Sequence, residues 1–278
     1  MGSRRRCPRR GSLPDRDPAQ AGVPPRPGSR RPSCDPPAVA SGGDLSTPAR
    51  DAAARAALAL VPRGGLVALG SGRAVWRLCE LIAGERAPAE RPRAVVASER
   101  TRAVCEKLGI AVAELDGRER PTRAFDGADE VDPDLRLLKG AGGALLRERI
   151  AAAAAGELVV MVEEEKLVGR LGERFPLPVE IVRFGWRATL GRLATLLAEP
   201  RLRCTEAGEP FVTDEGHFLV DGRIPPTADL DGLGRALRET PGVCDHGLFL
   251  SEATLVLVGD GTGSVRELGR QPLQRRGT

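Results

Sequence analysis

Hydrophobic residues in the first part of the chain recur in two alternating patterns, short apolar runs and segments with helical spacing. The runs GGLVALG, AVVAS, IAVAEL, TRAF and ELVVMV are typical of buried strands. They alternate with the predicted helices STPARDAAARAALALV, SGRAVWRLCELIAG, ERTRAVCEKLG and ALLRERIAAAAA, the first with Ser46 or Thr47 as its N-cap. This alternation predicts an α/β fold, a doubly wound domain with a mostly parallel sheet.

The pattern changes beyond about residue 172. FPLPVEIV and GLFL are predicted strands, FVTDEGHFLVDG has the signature of a hairpin, and helices are predicted over roughly 187–199 and 229–239. ATLVLVGDG then has strand character again, which we interpret as a return to the first sheet. We therefore predict an α/β catalytic domain over 46–172 and 251–278, with a smaller α+β domain inserted over 173–250.

Residues 1–45 differ in composition from the rest. They contain nine Arg, four Asp and nine of the 23 prolines, which predicts a disordered Arg/Pro-rich tail. The tail carries most of the positive charge, so the remaining residues have a net charge of about −1 and no nucleic-acid partner is expected. The tail lacks the apolar core of a secretory signal, and no apolar run approaches the roughly 20 residues of a membrane span. We expect a cytoplasmic protein without a membrane partner.

Cysteine and histidine are too few or too scattered to suggest a metal centre. The six cysteines form no C-x-x-C pair. The two histidines, His217 and His246, fall in a predicted hairpin and a predicted turn, where we interpret them as structural or solvated. We therefore expect no metal and no cofactor, and acid–base chemistry that rests on carboxylates and lysines.

The turn GSGRAV follows a predicted strand and opens a predicted helix. Backbone amides of Gly72, Arg73 and Ala74 at such a helix start are donors for an anion. Val75 occupies the third glycine position of the G-x-G-x-x-G fingerprint, and no acidic residue ends the next strand. These departures argue against a dinucleotide and favour a phosphate or sugar-phosphate contact.

The stretch DGADEVDPDLRLLKGAGGALLRERI concentrates charged residues around a glycine turn. Asp126 and Asp129 lie where a predicted strand ends, Lys139 precedes Gly140–Gly143, and Glu148 lies just inside the next helix. Strand ends of this kind hold the ligand sites of α/β sheets. A solvated acidic loop, with Glu148 paired to a neighbouring arginine, would have the same composition. From the residues alone both interpretations stay open.

Four motifs together carry a resemblance to a known family. DGADEVDPDLRLLKGAGGALLRE, EEEKLVGRLGERFPLPVEI, VTDEGHFLVD and GVCDHGLF follow one another as in ribose-5-phosphate isomerase of the A type, and the chain resembles this family over about residues 47–265. The resemblance implies a doubly wound α/β domain with a smaller α+β domain. It also implies interconversion of D-ribose 5-phosphate and D-ribulose 5-phosphate by an enediolate proton transfer, without metal, in a homodimer or homotetramer.

The resemblance also implies roles for individual residues. Glu148 corresponds to the base that moves the proton, and a glutamate is expected to be ionised at pH 7. Asp126, Asp129 and Lys139 correspond to substrate-contacting catalytic positions, the two aspartates assisting ring opening. The further substrate contacts that we expect are Ser71, Gly72, Arg73, Ala74, Gly127, Ala128, Gly140, Ala141, Gly142 and Lys166.

The chain departs from the family's pattern in two turns. The family's first glycine loop reads G-T-G-S-T, whereas this chain has Gly70–Ala74, which lacks two hydroxyl groups and offers Arg73 as a phosphate partner. Ala141 replaces a glycine, which is tolerable only where φ is negative. Two alternatives therefore stay open: a sugar-phosphate-binding regulator or pseudoenzyme of the same fold, and an isomerase for another phosphosugar.

Overall fold

The computed structural model describes residues 46–269, which contain six α-helices and thirteen strands. The helices are α1 Pro48–Leu60, α2 Arg73–Glu85, α3 Glu99–Lys107, α4 Leu145–Ala154, α5 Trp186–Leu193 and α6 Leu230–Glu239. The strands are β1 Leu66–Leu69, β2 Arg93–Val96, β3 Arg123–Asp126, β4 Glu130–Val131, β5 Leu137–Leu138, β6 Glu157–Glu163, β7 Leu177–Ile181, β8 Ala198–Leu202, β9 Phe218–Arg223, β10 Val243–His246, β11 Leu248–Phe249, β12 Ala253–Gly259 and β13 Val265–Gly269.

A six-stranded sheet forms the centre of the α/β part, in the order β2-β1-β3-β6-β12-β13. All neighbours are parallel except β12 and β13, which pair antiparallel. The return of the chain to this sheet through β12 is confirmed, as is the doubly wound, mostly parallel α/β fold. In such a sheet, ligands bind beyond the carboxyl ends of the strands.

Both faces of the central sheet are covered, which explains why its strands read as continuous apolar runs. Successive side chains point to opposite faces, so Val159 and Met161 of β6 pack towards α1, α2 and α3. Val160 and Val162 pack on the other face, with α4 and residues of a small three-stranded sheet. The small sheet has the order β11-β5-β4 and is antiparallel.

A four-stranded antiparallel sheet, in the order β10-β7-β9-β8, forms the α+β part with α5 and α6. Its core includes Leu177, Val179, Leu193, Val220 and Leu237, all of them fully buried. The four strands fall within the predicted inserted segment, whereas the three-stranded sheet takes strands from both predicted segments. The two-domain division stays a prediction.

Three sequence-based predictions of local structure are wrong. IAVAEL forms no strand, since only Val112 makes a single bridge to Ala94 beyond the edge strand β2. The helix predicted over 187–199 ends at Leu193, because Ala198–Leu202 pairs with β9 and this tertiary pairing outweighs helical propensity. His246 lies at the end of a strand rather than in a turn.

The predictions on the tail, on membrane spans and on location have different outcomes. The disorder predicted for residues 1–45 lies outside the described range. Between residues 46 and 269, no helix combines the length and apolar character that crossing a bilayer requires. The cytoplasmic location stays a prediction.

Candidate active site

Two carboxylates and one ammonium group meet beyond the end of β3. Asp126 is the last residue of β3, Lys139 directly follows β5, and Glu148 lies in the first turn of α4. Lys139 Nζ lies 2.9 Å from Asp126 Oδ2 and 3.1 Å from Glu148 Oε2. All three side chains are buried. The fold therefore brings together three of the four catalytic residues that the sequence suggested.

Asp126 is held by the backbone around it. Its Oδ1 accepts hydrogen bonds from the amides of Ser71, at 3.2 Å, and Gly127, at 2.8 Å. Gly70 makes this contact possible, because a Cβ at that position would lie 2.0 Å from the carboxyl carbon of Asp126. The glycine of the first loop thus lets the chain pass directly over the carboxylate.

Lys139 stays a cation in this buried position. Burial alone would lower its pKa, but the carboxylates of Asp126 and Glu148 outweigh burial and raise the pKa above its ordinary value. Nζ also donates to the carbonyl oxygen of Gly127 at 2.6 Å. The result is a fixed positive charge between two acids.

Glu148 has the most perturbed carboxylate of the site. Burial, and secondly the charge of Asp126, raise its pKa to about 8, although Lys139 opposes the shift. Its Oε2 has no hydrogen-bond partner among residues 46–269, so the contact with Lys139 is an ion pair without hydrogen-bond alignment. Burial therefore makes the carboxyl a stronger base than an ordinary glutamate, as a general base requires, and its ionisation at pH 7 stays a prediction.

The glycine turn lies between Lys139 and α4. Gly140 and Gly143 have φ of 105° and 86°, which an L side chain rarely adopts. Ala141 is not among the residues with positive φ, so its replacement of a glycine causes no strain. Its amide donates to Asp129 Oδ2 at 2.9 Å. Burial raises the pKa of Asp129, and the bond from Ala141 only partly opposes this shift.

The first glycine loop opens α2 without a side-chain cap. Gly72 occupies the N-cap position with φ of 104°, and Arg73 begins the helix. Ser71 Oγ lies 3.0 Å from Ser98 Oγ, which in turn donates to Thr101 Oγ1 at 3.0 Å. The remaining hydroxyl of the loop is therefore bound to the N-cap residue of α3, a partner that the sequence did not indicate.

These elements surround one cleft with a volume of about 870 Å³. Asp126 lies beneath the cleft, in contact with Lys139. The other residues that the sequence suggested all line it: Ser71, Gly72, Arg73, Ala74, Gly127, Ala128, Asp129, Lys139, Gly140, Ala141, Gly142, Glu148 and Lys166. Strand order explains this convergence, because the carboxyl ends of β1, β3 and β6 are adjacent.

Several residues of the cleft were not predicted from the sequence. Phe211 packs against the glycine turn, where a Cβ on Gly143 would lie 2.6 Å from its ring. Phe175 lies under Lys166, whose Nζ is 5.0 Å from the ring centre. Arg100 and Asp214 also line the cleft. Their positions depend on packing between distant segments, for which no local motif exists.

Arg50 also lines the cleft. It lies in the first turn of α1, is buried and forms an ion pair of 2.5 Å with Glu163 at the end of β6. Thr47 caps α1 and donates to the same carboxylate at 2.8 Å. This pair ties the first helix to the central strand beside the cleft.

Two arginines flank Glu148 on α4. Arg147 contacts Glu99 of α3 at 2.8 Å and Glu215 of the hairpin at 2.5 Å. Arg149 pairs with Asp245 of β10 and donates to the carbonyl oxygens of His246 and Leu248. Neither arginine pairs with Glu148, contrary to the solvated-acid interpretation.

Both histidines lie away from the acid cluster. His217 Nδ1 contacts the buried carboxylate of Glu180 at 3.0 Å. His246 is fully buried, and burial lowers its pKa to about 3. Among residues 46–269, no three His, Cys, Asp or Glu side chains are placed to hold a metal ion. The expectation of a metal-free reaction stays a prediction.

Comparisons with known proteins agree on one family. The sequence model of ribose 5-phosphate isomerase A (phosphoriboisomerase A) matches residues 93–263. The chain is 44% identical over 218 residues to a ribose-5-phosphate isomerase A of Roseiflexus castenholzii. The aligned residues make up 78% of this chain and 93% of that relative. It is 45% identical over 217 residues to the ribose-5-phosphate isomerase A of Thermomicrobium roseum. That alignment covers 77% of this chain and 91% of the relative.

Solved structures give the same result. A D-ribose-5-phosphate isomerase in complex with phospho-erythronic acid superposes with a TM-score of 0.74 at 32% identity, covering 80% of this chain and 97% of that one. A ribose 5-phosphate isomerase A of Methanocaldococcus jannaschii superposes with a TM-score of 0.74 at 30% identity, covering 80% of this chain and 98% of that one. The fold, the acid cluster and these similarities agree: the chain belongs to the ribose-5-phosphate isomerase A family.

Proposed function

We propose that the cleft interconverts D-ribose 5-phosphate and D-ribulose 5-phosphate, with Glu148 as the base. The observation that carries the proposal is the carboxylate of Glu148, which is buried in the cleft wall with an oxygen that lacks a hydrogen-bond partner among the described residues. A pKa raised to about 8 lies near the pH of the cell, where a general base works best.

The proton moves between two carbons of the open-chain sugar. Ionised Glu148 takes the proton from C2 of the aldose, and the electron pair forms the C1–C2 double bond of an enediolate while charge develops on O1. The same carboxyl returns the proton to C1, while the proton of the O2 hydroxyl passes to O1 and the carbonyl forms at C2. One carboxylate serves both steps because C1 and C2 are adjacent.

Lys139 stabilises the enediolate. Its ammonium group is held 3.1 Å from the carboxylate of Glu148, so a cation lies beside the atoms on which negative charge develops. Asp126 and the carbonyl oxygen of Gly127 fix the ammonium group in place before substrate arrives. A preorganised charge of this kind needs no reorganisation during the reaction.

Asp126 and Asp129 have different roles in this proposal. Asp126 uses Oδ1 for the amides of Ser71 and Gly127 and Oδ2 for Lys139, so it anchors the site. Asp129 accepts the amide of Ala141 at Oδ2 and also lines the cleft. Asp129 therefore carries the proton from the C1 hydroxyl to the ring oxygen when the furanose opens, which a raised pKa favours.

The phosphate binds at the other side of the cleft. Gly72, Arg73 and Ala74 present the N-terminus of α2 there, and Lys166 lies on the same cleft wall as Phe175. Neither Arg73 nor Lys166 forms an ion pair with another residue of the described range 46–269. Two unpaired cations and a helix start are the groups that bind a phosphate.

The ligand of a similar structure supports this assignment. A solved D-ribose-5-phosphate isomerase holds phospho-erythronic acid, whose carboxylate has two oxygens and a negative charge, as an enediolate has. Ligands that resemble the high-energy species bind more tightly than substrates do. We therefore expect phospho-erythronic acid to inhibit this protein by competing with ribose 5-phosphate.

Turnover of a panel of pentose and hexose phosphates tests the proposal. We expect conversion of ribose 5-phosphate without added metal and, in D₂O, incorporation of deuterium at C1 of the ketose. Conversion of a different phosphosugar would identify the isomerase alternative, and binding without conversion or exchange would identify a regulator or pseudoenzyme. The homodimer or homotetramer stays a prediction, which sedimentation of the purified chain would test.

A further inference from the structure

A buried arginine of the antiparallel sheet reaches the glycine turn of the cleft. Arg203 directly follows β8 and is 4% exposed. Its Nε and Nη2 donate to the two carboxylate oxygens of Asp221 on β9. Its Nη1 donates to the carbonyl oxygens of Gly140 and Ala141, each at 3.0 Å. One guanidinium group thus joins a carboxylate on one side to two consecutive peptide groups on the other.

These two bonds determine the direction of the peptide amides. In a planar trans peptide, the N–H points opposite to the C=O. Because the carbonyl of Gly140 points to Arg203, the amide of Ala141 points away from Arg203, and it donates to Asp129 at 2.9 Å. Because the carbonyl of Ala141 also points to Arg203, the amide of Gly142 points away too, and Gly142 lines the cleft.

Within the turn, one hydrogen bond from the amide of Gly143 to the carbonyl oxygen of Gly140, at 3.1 Å, opposes rearrangement. Glycines at 140, 142 and 143 allow a peptide group to rotate at low cost, since they tolerate both signs of φ. A rotated peptide at 140–141 would remove the donor from Asp129 and place a carbonyl oxygen beside its carboxylate. The bonds from Arg203 oppose this rotation, because it would leave buried donors of the guanidinium group without acceptors.

We propose that Arg203, oriented by Asp221, is a positioning residue for the reaction: it holds the peptide groups of Gly140 and Ala141 so that their amides face Asp129 and the substrate. Arg203 does not line the cleft; it contacts the turn directly, and its charge also opposes the rise in the pKa of Asp129. The inference rests on the proposed isomerisation, in which Asp129 carries the proton of ring opening. The inserted antiparallel sheet thereby contributes to chemistry at the edge of the parallel sheet.

Arg203→Lys tests the proposal. Lysine keeps the positive charge, but its single nitrogen cannot donate to a carboxylate in a bidentate manner and to two carbonyl groups at once. We expect kcat to fall about 10- to 100-fold, as misplacement of reacting groups does, while KM changes less than about threefold. Hydrogen–deuterium exchange of the amides of residues 140–144 should become at least about tenfold faster. Arg201→Lys, at an exposed neighbouring position in β8, is the matched control. It should change neither kcat nor the exchange rate of residues 140–144.

The outcomes separate positioning from general stability. A kcat within twofold of wild type, a loss carried by KM alone, or unchanged exchange at residues 140–144 would each overturn the proposal. If Arg203→Lys fails to fold, Asp221→Asn tests the proposal instead, because asparagine keeps the shape of the side chain and weakens the hydrogen bonds to Arg203. We expect a smaller fall in kcat and a smaller increase in the exchange rate of residues 140–144. If wild type shows no isomerisation, the proposed function fails, and hydrogen exchange still decides whether Arg203 orients the turn.

Discussion

Glu130 and Glu148 are both buried glutamates that follow β3 in the chain, but their surroundings differ. Glu130 is fully buried, and its carboxylate accepts hydrogen bonds from the amides of Gly172, Arg174 and Phe175 at 2.5, 2.6 and 2.8 Å. Glu148 has an oxygen with no such bond in the described chain and a pKa of about 8. Amide donors stabilise a carboxylate, whereas burial without donors destabilises it.

The difference separates a fully hydrogen-bonded acid from the acid that we propose as the base. Glu130, in β4, is hydrogen-bonded to the segment that contains Phe175, a residue of the cleft wall. The hydrogen-bond donors to its carboxylate are all backbone amides of the protein. Glu148 has an oxygen without a hydrogen-bond partner among the described residues and lines the cleft, where we propose that it meets the substrate. Burial alone therefore does not indicate a catalytic group; the missing hydrogen-bond partner does.

The largest effect is expected for Glu148→Gln, which keeps the shape of the side chain and removes the base. We expect kcat for ribose 5-phosphate to fall by about 10² to 10⁴, with an unchanged far-UV circular dichroism spectrum. Steady-state kinetics on the purified variant measures the loss. Glu130→Gln is the control and should retain kcat within about twofold per folded molecule. Full activity in Glu148→Gln would show that Glu148 is no more the base than Glu130 is.

The pH dependence sharpens the comparison. Because the base must be ionised and its pKa lies near 8, kcat/KM should rise about tenfold per pH unit below pH 8 and level off above it. The same protonation acts on stability: the folded pKa lies above the unfolded value of about 4.3, so this contribution is complete below pH 4 and is lost as the pH rises through 8. Activity profiles and urea unfolding at pH 6 and pH 9, with Glu148→Gln as reference, measure both. A flat kcat/KM between pH 6 and pH 8 would contradict the raised pKa.

Glu130→Gln should destabilise the fold. An amide side chain offers one acceptor oxygen and a donor group where the carboxylate accepts three amide bonds, so at least one buried partner is left unpaired. We expect the free energy of unfolding to fall by about 1–3 kcal/mol, measured by urea denaturation. Glu148→Gln at pH 8 should show no such loss, and equal destabilisation in both variants would show that the comparison is wrong.

The smallest effect is expected for Arg73→Ala, which extends the comparison from buried acids to two arginines. Arg203 is fully engaged within the protein, whereas Arg73 has no ion-pair partner among the described residues and lines the cleft. Arg73→Ala should raise KM for ribose 5-phosphate about threefold to tenfold with little change in kcat, as loss of one exposed charged hydrogen bond would. Arg102→Ala, on the exposed face of α3, serves as control. An unchanged KM would reject the phosphate role of Arg73.

Much of the fold could be predicted because its signals are local. The apolar runs of β1, β3 and β6 and the capped helix after Thr47 follow directly from periodicity and capping. The short strands β4, β5 and β10 were missed because two to four residues have no period to detect. Their pairing is decided by distant segments, as for Leu138 between Glu130 and Leu248.

The site was predictable to the extent that it lies on one stretch of sequence. Asp126, Lys139 and Glu148 stand in one motif, so the resemblance identified them together. Arg203 directly follows β8 and Phe211 lies between β8 and β9, so both reach the glycine turn only through tertiary packing. The ionisation state of Glu148 also depends on burial and on the charge of Asp126, neither of which composition reveals.

The arginines on either side of Glu148 have a mechanical consequence. Successive residues of a helix point about 100° apart, so Arg147 and Arg149 pull on opposite flanks of α4, one towards α3 and the hairpin, the other towards β10. Because these contacts lie on opposite flanks, both oppose rotation of the helix about its own axis. The direction of the Glu148 carboxylate thus depends on contacts at both flanks of its helix, and we expect the loss of either contact to misorient the proposed base.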